Sequence, residues 1–355
     1  MKNPEKRILI EGSGGPAGIG FCRSLRIHKP KFWILGTDIN PYYLIRSVVD
    51  KQVFLSKMSE KKYVNRLNKL IDDYKIDFIH PQPDQSVRLI SKNRKKLKCS
   101  LFLPDDRTVL ICQNKFLSYK KWMAAGLNTP ETYLIRTPKD LKESFERLGK
   151  DMWIREIHGT AGKNSLPTNN LETARVWIDF HNGWGRFTVA KKLSSDSITW
   201  SSIWKDGELV VAQGRKRLYW EFGNRTLSGI TGLTGGSITK ADPEVDKISQ
   251  EAIYAIDKNP NGIFSVDMTY DQRGHLNLTE INIGRFFTTI EFFARAGLNI
   301  PLIYTSLALD LKIPKIKKIL NPLPDNLCWI RGIDIEPIMT TLDDVERVRS
   351  NKFPK

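Results

Sequence analysis

The spacing of apolar residues changes once along this chain, and the change limits the folds open to it. Up to about Leu103, short apolar runs that predict β-strands alternate with amphipathic stretches that predict helices; the strand runs are Arg7–Glu11, Phe32–Asp38 and Phe78–Pro81. This βαβαβ order predicts a parallel sheet with helices on both faces. From Met152 onward, strand-like runs separated by glycine-containing turns dominate, which predicts antiparallel pairing.

Helical spacing of apolar residues recurs in five further segments, at residues 61–74, 87–97, 114–126, 243–257 and about 289–296. Two strands are predicted at Ile263–Tyr270 and His275–Asn282, and the DQRG turn between them predicts a hairpin. The segment after Ile313 is rich in Pro and Lys and too short for a domain. It is interpreted as an appendage that packs on the main body.

Composition excludes several classes of protein. The net charge is +17, but the basic residues are spread along all 355 residues, so an anionic small-molecule substrate is favoured over nucleic acid. No apolar run has the length of about 18–20 residues that a membrane helix needs, so no membrane association is predicted. The four cysteines form no CxxC pair, which argues against a zinc site and favours a reducing cytoplasm.

A glycine-rich turn, GSGGPAG, follows the first predicted strand and opens the first predicted helix. Gly12, Gly14 and Ala17 match the spacing of a dinucleotide-binding fingerprint, and Asp38 ends the next strand. Backbone N–H groups at a helix N-terminus attract any anion, so the match is weak by itself. A NAD(P)-dependent oxidoreductase is kept as an alternative, and a structural or substrate-side turn is favoured.

The predicted hairpin near residue 270 carries the most specific chemical signal. Glu280 and Asn282 are two residues apart and share a strand face, and Asp267 on the neighbouring strand can reach that face. Hard oxygen donors of this kind suit Mg²⁺, which completes its shell with water and phosphate. Arg285 follows the strand, where it could meet an anion. A surface hairpin whose acids pair with lysines stays open as the alternative.

Other polar residues are candidates for substrate contacts. His80 ends the third predicted strand and Asp84 follows it, and ligands of open α/β sheets gather at the carboxyl ends of strands. For Asp84, capping of the next helix is the alternative. Arg215 and Arg217 share one face of a strand and are candidates for holding a carboxylate or phosphoryl group, with a solvated face equally open.

GIFSVDM (Gly262–Met268) and TEINIGRFF (Thr279–Phe287) resemble the metal-binding end of ATP-grasp enzymes, and look closest to the carbamoyl-phosphate-synthase-like, carboxylate–amine ligase branch. The resemblance covers roughly residues 5–310. It implies an α/β and α+β fold: a Rossmann-like pre-ATP-grasp domain at residues 1–110, followed by a two-lobed ATP-grasp domain with antiparallel sheets at 111–312. The appendage is then 313–355.

The same resemblance assigns roles to individual residues. Asp267, Glu280 and Asn282 fall on the family's Mg²⁺ ligands, with Mn²⁺ as a substitute cation. Lys115 and Arg155 match residues that contact the phosphates of ATP. The segment HGTAGKNS matches the glycine-rich loop that closes over the triphosphate, with Gly159, Thr160, Ala161, Gly162 and Ser165 as the candidate residues. The linker that reads adenine through its backbone is matched by Ala190, Lys191, Lys192 and Leu193.

The function implied by the resemblance is that of an ATP-dependent ligase. Such an enzyme activates a carboxylate as an acyl phosphate and joins it to an amine or similar nucleophile, releasing ADP and phosphate. Its partners would be small-molecule acid and amine substrates, and homodimers are common in the family. A basic nucleic-acid-binding protein is a third hypothesis, although no recognised motif supports it.

Overall fold

The computed structural model describes residues 5–27, 31–159, 162–332 and 338–344. Its N-terminal part contains a four-stranded parallel sheet in the order β3-β2-β1-β4. The strands are β1 (Arg7–Glu11), β2 (Trp33–Asp38), β3 (Lys51–Phe54) and β4 (Phe78–Pro81). The helices are α1 (Pro16–Ile27), α2 (Pro41–Ile45), α3 (Glu60–Tyr74) and α4 (Asp84–Lys92). The predicted βαβαβ order is confirmed, with α2 and β3 as additions.

Two helices, α5 (Asp106–Gln113) and α6 (Lys115–Ala124), lead out of the N-terminal part. The Asn114 side chain caps α6 by accepting from the backbone N–H groups of Phe116 and Leu117, and Gly126 follows the helix with φ of 72°. The helix predicted at 114–126 is therefore confirmed at its core. The one predicted at 87–97 is shorter and begins earlier, at Asp84, because the chain turns at Asn93 into a 3₁₀ turn at Arg94–Lys96.

A small lobe follows, with a sheet in the order β5-β8-β6-β7 in which all pairs are antiparallel. Its strands are β5 (Thr132–Ile135), β6 (Met152–Glu156), β7 (Leu166–Thr168) and β8 (Phe187–Lys191), and its helices are α7 (Pro138–Leu148) and α8 (Leu171–Phe180). Apolar residues on one face of this sheet bury themselves against both helices, with Ile154, Phe187 and Val189 fully enclosed. The small lobe thus has a core of its own.

The large lobe is built on a seven-stranded sheet in the order β13-β12-β9-β10-β11-β14-β15, again antiparallel throughout. Its strands are β9 (Ser197–Lys205), β10 (Glu208–Trp220), β11 (Thr234–Thr239), β12 (Gly262–Tyr270), β13 (Leu276–Ile283), β14 (Leu327–Ile330) and β15 (Ile338–Thr341). Its helices are α9 (Pro243–Tyr254), α10 (Ile290–Arg295) and α11 (Ile300–Ala308). The predicted hairpin is confirmed as β12 and β13, with Asp271–Gly274 as its turn.

The C-terminal segment joins this sheet rather than lying against it, because β14 pairs with β11 and β15 pairs with β14. The packing expected of the appendage is thus achieved through strand pairing, while the division at residue 313 stays a prediction. All four cysteines are free. In the part of the chain that the structure describes, no helix combines the length and the apolar character needed to cross a bilayer.

An aromatic cluster joins the N-terminal sheet to the large lobe. The His80 ring, at the end of β4, stacks on Phe21 with a centroid distance of 4.4 Å and lies near Phe286 and Tyr304. His80 is fully buried, and its Nε2 lies 3.0 Å from the Gln82 side-chain oxygen. Burial lowers the pKa of His80 from 6.5 to about 4, since the charged imidazolium is poorly solvated there.

The stability of the protein should therefore depend on pH through His80. Between its unfolded pKa of 6.5 and its folded pKa of about 4, the unfolded chain binds a proton that the folded protein does not, so the free energy of unfolding falls as pH falls. Urea unfolding at pH 7 and pH 5 should differ by about 2 kcal/mol more in the wild type than in a His80→Phe variant. Equal pH dependence in the two proteins would show that the ring is not held neutral.

Candidate active site

Five residues from five adjacent strands form a row across the large sheet. Glu280 on β13 pairs with Asp267 on β12, Asp267 pairs with Thr199 on β9, and Thr199 pairs with Arg215 on β10. The row continues to Thr239 on β11. Because directly paired residues project from the same face of a sheet, the register alone places two acids, two threonine hydroxyls and an arginine on one face.

Asp267 is held by hydrogen bonds on both carboxylate oxygens. Its Oδ1 accepts from the Thr199 hydroxyl at 2.5 Å, and its Oδ2 accepts from the Asn282 amide nitrogen at 2.8 Å. Burial raises the pKa of Asp267, and the negative charge of Glu280 adds to that effect, while Arg217 and Arg215 oppose it. The carboxylate therefore remains costly to ionise in the absence of a further cation.

Glu280 lies beside a concentration of positive charge. Its carboxylate is 3.3 Å from the Lys115 ammonium, which comes from α6. Burial acts to raise the pKa of Glu280, but Lys115, Arg155 and Arg285 together outweigh it, so the net direction is downward. Glu280 thus carries its negative charge more readily than Asp267, although the two acids are paired across neighbouring strands.

Arg285 connects the hairpin to the N-terminal part of the molecule. Its Nη2 donates to the Asn282 side-chain oxygen at 2.5 Å, and its Nε forms an ion pair with Asp84 at the start of α4. Burial acts to lower the pKa of Arg285, but the charge and hydrogen bond of Asp84 raise it overall. The structure therefore gives Asp84 an arginine partner inside the protein.

Arg215 and Arg217 are cations without carboxylate partners. Arg215 donates to the hydroxyls of Thr289 at 2.5 Å and Thr199 at 3.2 Å, and its guanidinium lies over the Phe287 ring. Arg217 donates to Ser197 at 2.7 Å and lies over Trp220. Within the described ranges neither forms an ion pair, and burial lowers the pKa of both, that of Arg215 to about 9.

The glycine-rich segment lies next to Lys115. The Lys115 backbone N–H donates to Ile157 at 3.0 Å, and its ammonium group donates to the Gly159 carbonyl. Ser165 closes the turn by donating to the Gly162 carbonyl at 3.1 Å. A Cβ on Gly162, which has φ of 67°, would lie 2.8 Å from Ile230 of the β10–β11 connection. Thr160 and Ala161 lie outside the described residues.

Arg155 on β6 faces the acidic hairpin from the small lobe. It donates to the Thr279 carbonyl at 3.1 Å, while its Nε is buried without a hydrogen-bond partner. Burial lowers the pKa of Arg155 and the nearby Glu280 opposes this. Among the residues that the structure describes, the Nε atoms of Arg155 and Arg215 have no hydrogen-bond partner, so both are available to an anion bound at the site.

The linker between the two lobes is fixed at both ends. Ala190 and Lys191 end β8, and the backbone N–H of Lys192 donates to Asp151 of the small lobe at 2.9 Å. After Leu193, the N–H of Ser194 donates to Tyr270 of the large lobe at 3.0 Å. The four residues predicted to read adenine therefore lie where the lobes meet.

The structure does not bring His80 to the site. Its ring is fully buried in the aromatic cluster, which does not favour the substrate contact predicted at His80; that contact stays a prediction. His80 does lie at the carboxyl end of β4, as predicted, but Tyr304 of helix α11 packs against its ring. Asp84 is placed near the site, with Arg285 as its partner.

The backbone N–H groups of the glycine-rich turn after β1 are bonded to other residues of the protein. The N–H groups of Gly12 and Ser13 donate to Thr37, and that of Gly14 donates to Asp38 at 3.3 Å. A Cβ on Gly14 would lie 1.9 Å from the Tyr43 carbonyl, so α2 packs directly on the turn. These N–H groups and Asp38 are not free for a dinucleotide, and the oxidoreductase alternative is not supported.

The oxygen donors that could bind a metal ion are of mixed type, namely carboxylates and an amide. Among residues 5–27, 31–159, 162–332 and 338–344, no group of three His, Cys, Asp or Glu is arranged to hold a metal ion. Asp267 and Glu280 supply two carboxylates on paired strands, and Asn282 supplies an amide oxygen that lies within the same hydrogen-bonded group. Carboxylate and amide oxygens are hard donors, the type that Mg²⁺ prefers.

Comparisons with known proteins identify the fold. No family model and no curated protein matches the chain. Among solved structures, N5-carboxyaminoimidazole synthetase from Staphylococcus aureus complexed with ADP has a TM-score of 0.70 and 15% sequence identity, covering 92% of this chain and 82% of that one. A biotin carboxylase–β-γ-ATP complex from Campylobacter jejuni has a TM-score of 0.69 and 14% identity, covering 92% and 74%.

A third structure, N5-carboxyaminoimidazole ribonucleotide synthetase from Thermus thermophilus, has a TM-score of 0.69 and 13% identity, covering 97% of this chain and 87% of that one. These neighbours have the ATP-grasp fold. The chain therefore has the ATP-grasp fold, and the fold class predicted from the resemblance is confirmed.

Two groups at the site were missed from the sequence. Thr199 bonds both Asp267 and Arg215, and Thr289 bonds Arg215. The strand register of β9 could have indicated Thr199, because it lies on the same face as Ser197 and Ser201 in a strand otherwise rich in aromatic and apolar residues. Thr289 had no such signal, since it precedes a helix far along the chain.

Substitution of Arg215 tests whether this buried cation contributes to the stability of the fold or to the binding of an anion. We expect Arg215→Met to leave the free energy of unfolding unchanged or to increase it by about 1–3 kcal/mol, because a buried cation is replaced by an apolar side chain of similar length. Inorganic phosphate should stabilise the wild type more than the variant in thermal unfolding. A loss above about 2 kcal/mol on substitution would instead make Arg215 a structural residue.

Proposed function

We propose that this chain is an ATP-dependent ligase, which activates a carboxylate as an acyl phosphate and joins it to an amine or similar nucleophile. The observation that carries the proposal is the row on the large sheet, in which Glu280 and Asp267 face cations from three parts of the molecule. Five cationic side chains surround these acids; they are Lys115, Arg155, Arg215, Arg217 and Arg285. A site with more cations than acids suits a triphosphate together with a second anion.

ATP would lie between the lobes. Lys115 and Arg155 would contact its phosphates, and the segment Gly159–Ser165 would cover them from the small lobe. The backbone of Ala190–Leu193 would meet the adenine edge. Support comes from the orphaned Arg155 Nε, and from neighbours of this fold whose structures contain ADP or ATP.

Mg²⁺, or Mn²⁺ in its place, would be held by Asp267, Glu280 and Asn282. The donor set fits, because burial raises the pKa of Asp267 and a bound cation would compensate its negative charge. When bound, such an ion neutralises phosphate charge during phosphoryl transfer. The protein's own part is to hold the three oxygens on a rigid hairpin.

The acid substrate would be oriented by Arg215, Arg217 and Arg285. A carboxylate oxygen forms a bond to the terminal phosphorus of ATP as the bond to the bridging oxygen breaks, which leaves ADP and an acyl phosphate. The amine then attacks the acyl carbon, phosphate leaves, and the amine loses a proton. Buried arginines held by threonine hydroxyls would position the acid without needing to reorganise.

The neighbours narrow the substrate class. One solved structure of N5-carboxyaminoimidazole synthase contains ADP and 5-aminoimidazole ribonucleotide, and a 2-oxoglutarate carboxylase domain contains bicarbonate with ADP. We extend only the chemical class, a small acid and a nitrogen nucleophile, to this chain. A cytoplasmic location and a homodimer belong to the same proposal. The nucleic-acid-binding hypothesis does not account for the row of acids and arginines.

The proposal predicts nucleotide binding before any substrate is known. Calorimetry with Mg·ATP should show saturable binding, and Glu280→Gln should weaken it by about tenfold or more, because a ligand of the cation loses its charge. Far-UV circular dichroism should show unchanged folding. Wild-type protein that binds no Mg·ATP would rule the function out.

Substrates can then be sought by measuring ADP release with a panel of carboxylic acids and bicarbonate, each with and without amines. The same Glu280→Gln variant should abolish release for any pair that is active in the wild type. Release that survives the substitution would assign the activity to another site.

A further inference from the structure

The side chains proposed as metal ligands are already paired with cations and donors of the protein. Asn282 uses its oxygen to accept from Arg285 and its nitrogen to donate to Asp267. The second oxygen of Asp267 accepts from Thr199, and Glu280 faces Lys115. A divalent cation that approaches the Asn282 oxygen would lie against the positively charged guanidinium of Arg285, so the two cations compete for that oxygen.

Arg285 is the partner best placed to be replaced. It contacts the Asn282 oxygen directly, and its positive charge acts on both Glu280 and Asp267. Lys115, the other nearby cation, also donates to the Gly159 carbonyl and is proposed for the phosphates. The guanidinium of Arg285 therefore supplies in this structure the charge compensation that a bound cation would supply.

Asp84 gives Arg285 a second place to bind. The ion pair uses Nε of the guanidinium, whereas the contact with Asn282 uses Nη2, so the second contact can be broken while the first persists. Asp84 is fixed in turn, because its carbonyl accepts from the Gln113 side chain at 2.7 Å and it occupies the first turn of α4. Gly284, with φ of 68°, brings the Arg285 loop close to α4 at Val87.

We propose that Arg285 occupies the place of the divalent cation beside Asn282 in the metal-free protein, and that Asp84 holds Arg285 when the cation enters. The proposal rests on the proposed function in one respect, namely that Asp267, Glu280 and Asn282 are the metal ligands. Arg285 then acts as an internal competitor of the cation. Nucleotide phosphates offer the displaced guanidinium an anion, so cation and nucleotide bind cooperatively and the cation alone binds weakly.

Mn²⁺ titration of the nucleotide-free protein, followed by electron paramagnetic resonance of free Mn²⁺, tests the competition directly. Arg285→Gln should tighten Mn²⁺ binding by about 5- to 100-fold, the range typical of coupling between two sites. Asp84→Asn should weaken it severalfold, because Arg285 loses its carboxylate partner and remains on the Asn282 oxygen. Substitutions of the two residues of one ion pair are thus expected to shift the affinity for Mn²⁺ in opposite directions. If the pair were purely structural, both substitutions would shift this affinity in the same direction or leave it unchanged.

Arg273→Gln is the matched control. Arg273 lies in the turn of the same hairpin, is exposed, and its substitution changes the net charge by the same amount. It should leave Mn²⁺ affinity within about twofold of the wild type, since exposed charges are screened by salt. Circular dichroism and thermal unfolding verify that each variant folds, and an Arg285→Lys variant provides a second measurement if Arg285→Gln is unstable, with an affinity nearer to the wild type.

Binding of Mn·ADP to the wild type separates the two proposals. If the wild type binds Mn·ADP, but Arg285→Gln leaves the affinity for Mn²⁺ alone unchanged or weaker, the competition proposed here is overturned and the ligase function stands. If neither Mn²⁺ nor Mn·ADP binds to any of the proteins, the ligand assignment and the proposed function fall together. Tighter Mn²⁺ binding in Arg285→Gln with weaker binding in Asp84→Asn supports both.

Discussion

The pairing of Asp267 with Glu280 across β12 and β13 is the contact on which the organisation of the large lobe's polar face depends. Two acids on neighbouring strands, each partly enclosed by the protein, repel each other and lose part of their hydration, so each needs compensation from elsewhere. Thr199 and Asn282 provide it for Asp267, and Lys115 provides it for Glu280. Compensation therefore comes from other strands and from α6, which ties distant parts of the chain to one small region of sheet.

The connection between the N-terminal part and the large lobe has a polar and an apolar component. The ion pair of Arg285 with Asp84 lies at the site, and the cluster of Phe21, His80 and Tyr304 lies behind it. The apolar cluster resists movement because close-packed rings have few alternative arrangements. The Rossmann-like part thus packs firmly behind the candidate site, and its glycine-rich turn packs against α2.

Much of the fold was predictable because each part has a local signal. The βαβαβ order, the DQRG turn and the two-residue spacing of Glu280 and Asn282 indicated the sheet type and the hairpin before any long-range contact was known. The roles of His80 and Asp84 were not predictable in the same way. Burial of His80 depends on α11, more than 200 residues later, and the partner of Asp84 is Arg285. The spacing of apolar residues contains no information about such long-range pairings. The order of the ATP-grasp-like motifs along the chain, by contrast, indicated the fold correctly. The site roles themselves remain predictions.

The way the small lobe is inserted has a consequence for its independence. It leaves the rest of the chain at β5 and returns at β8, and these two strands lie side by side, with Thr132 paired to Ala190. The two chain connections between the small lobe and the rest of the protein are therefore adjacent. The small lobe also has a separate hydrophobic core. Because the two sheets share no strand, excision of this unit at its base would remove no strand from the seven-stranded sheet, and a short peptide would span the cut.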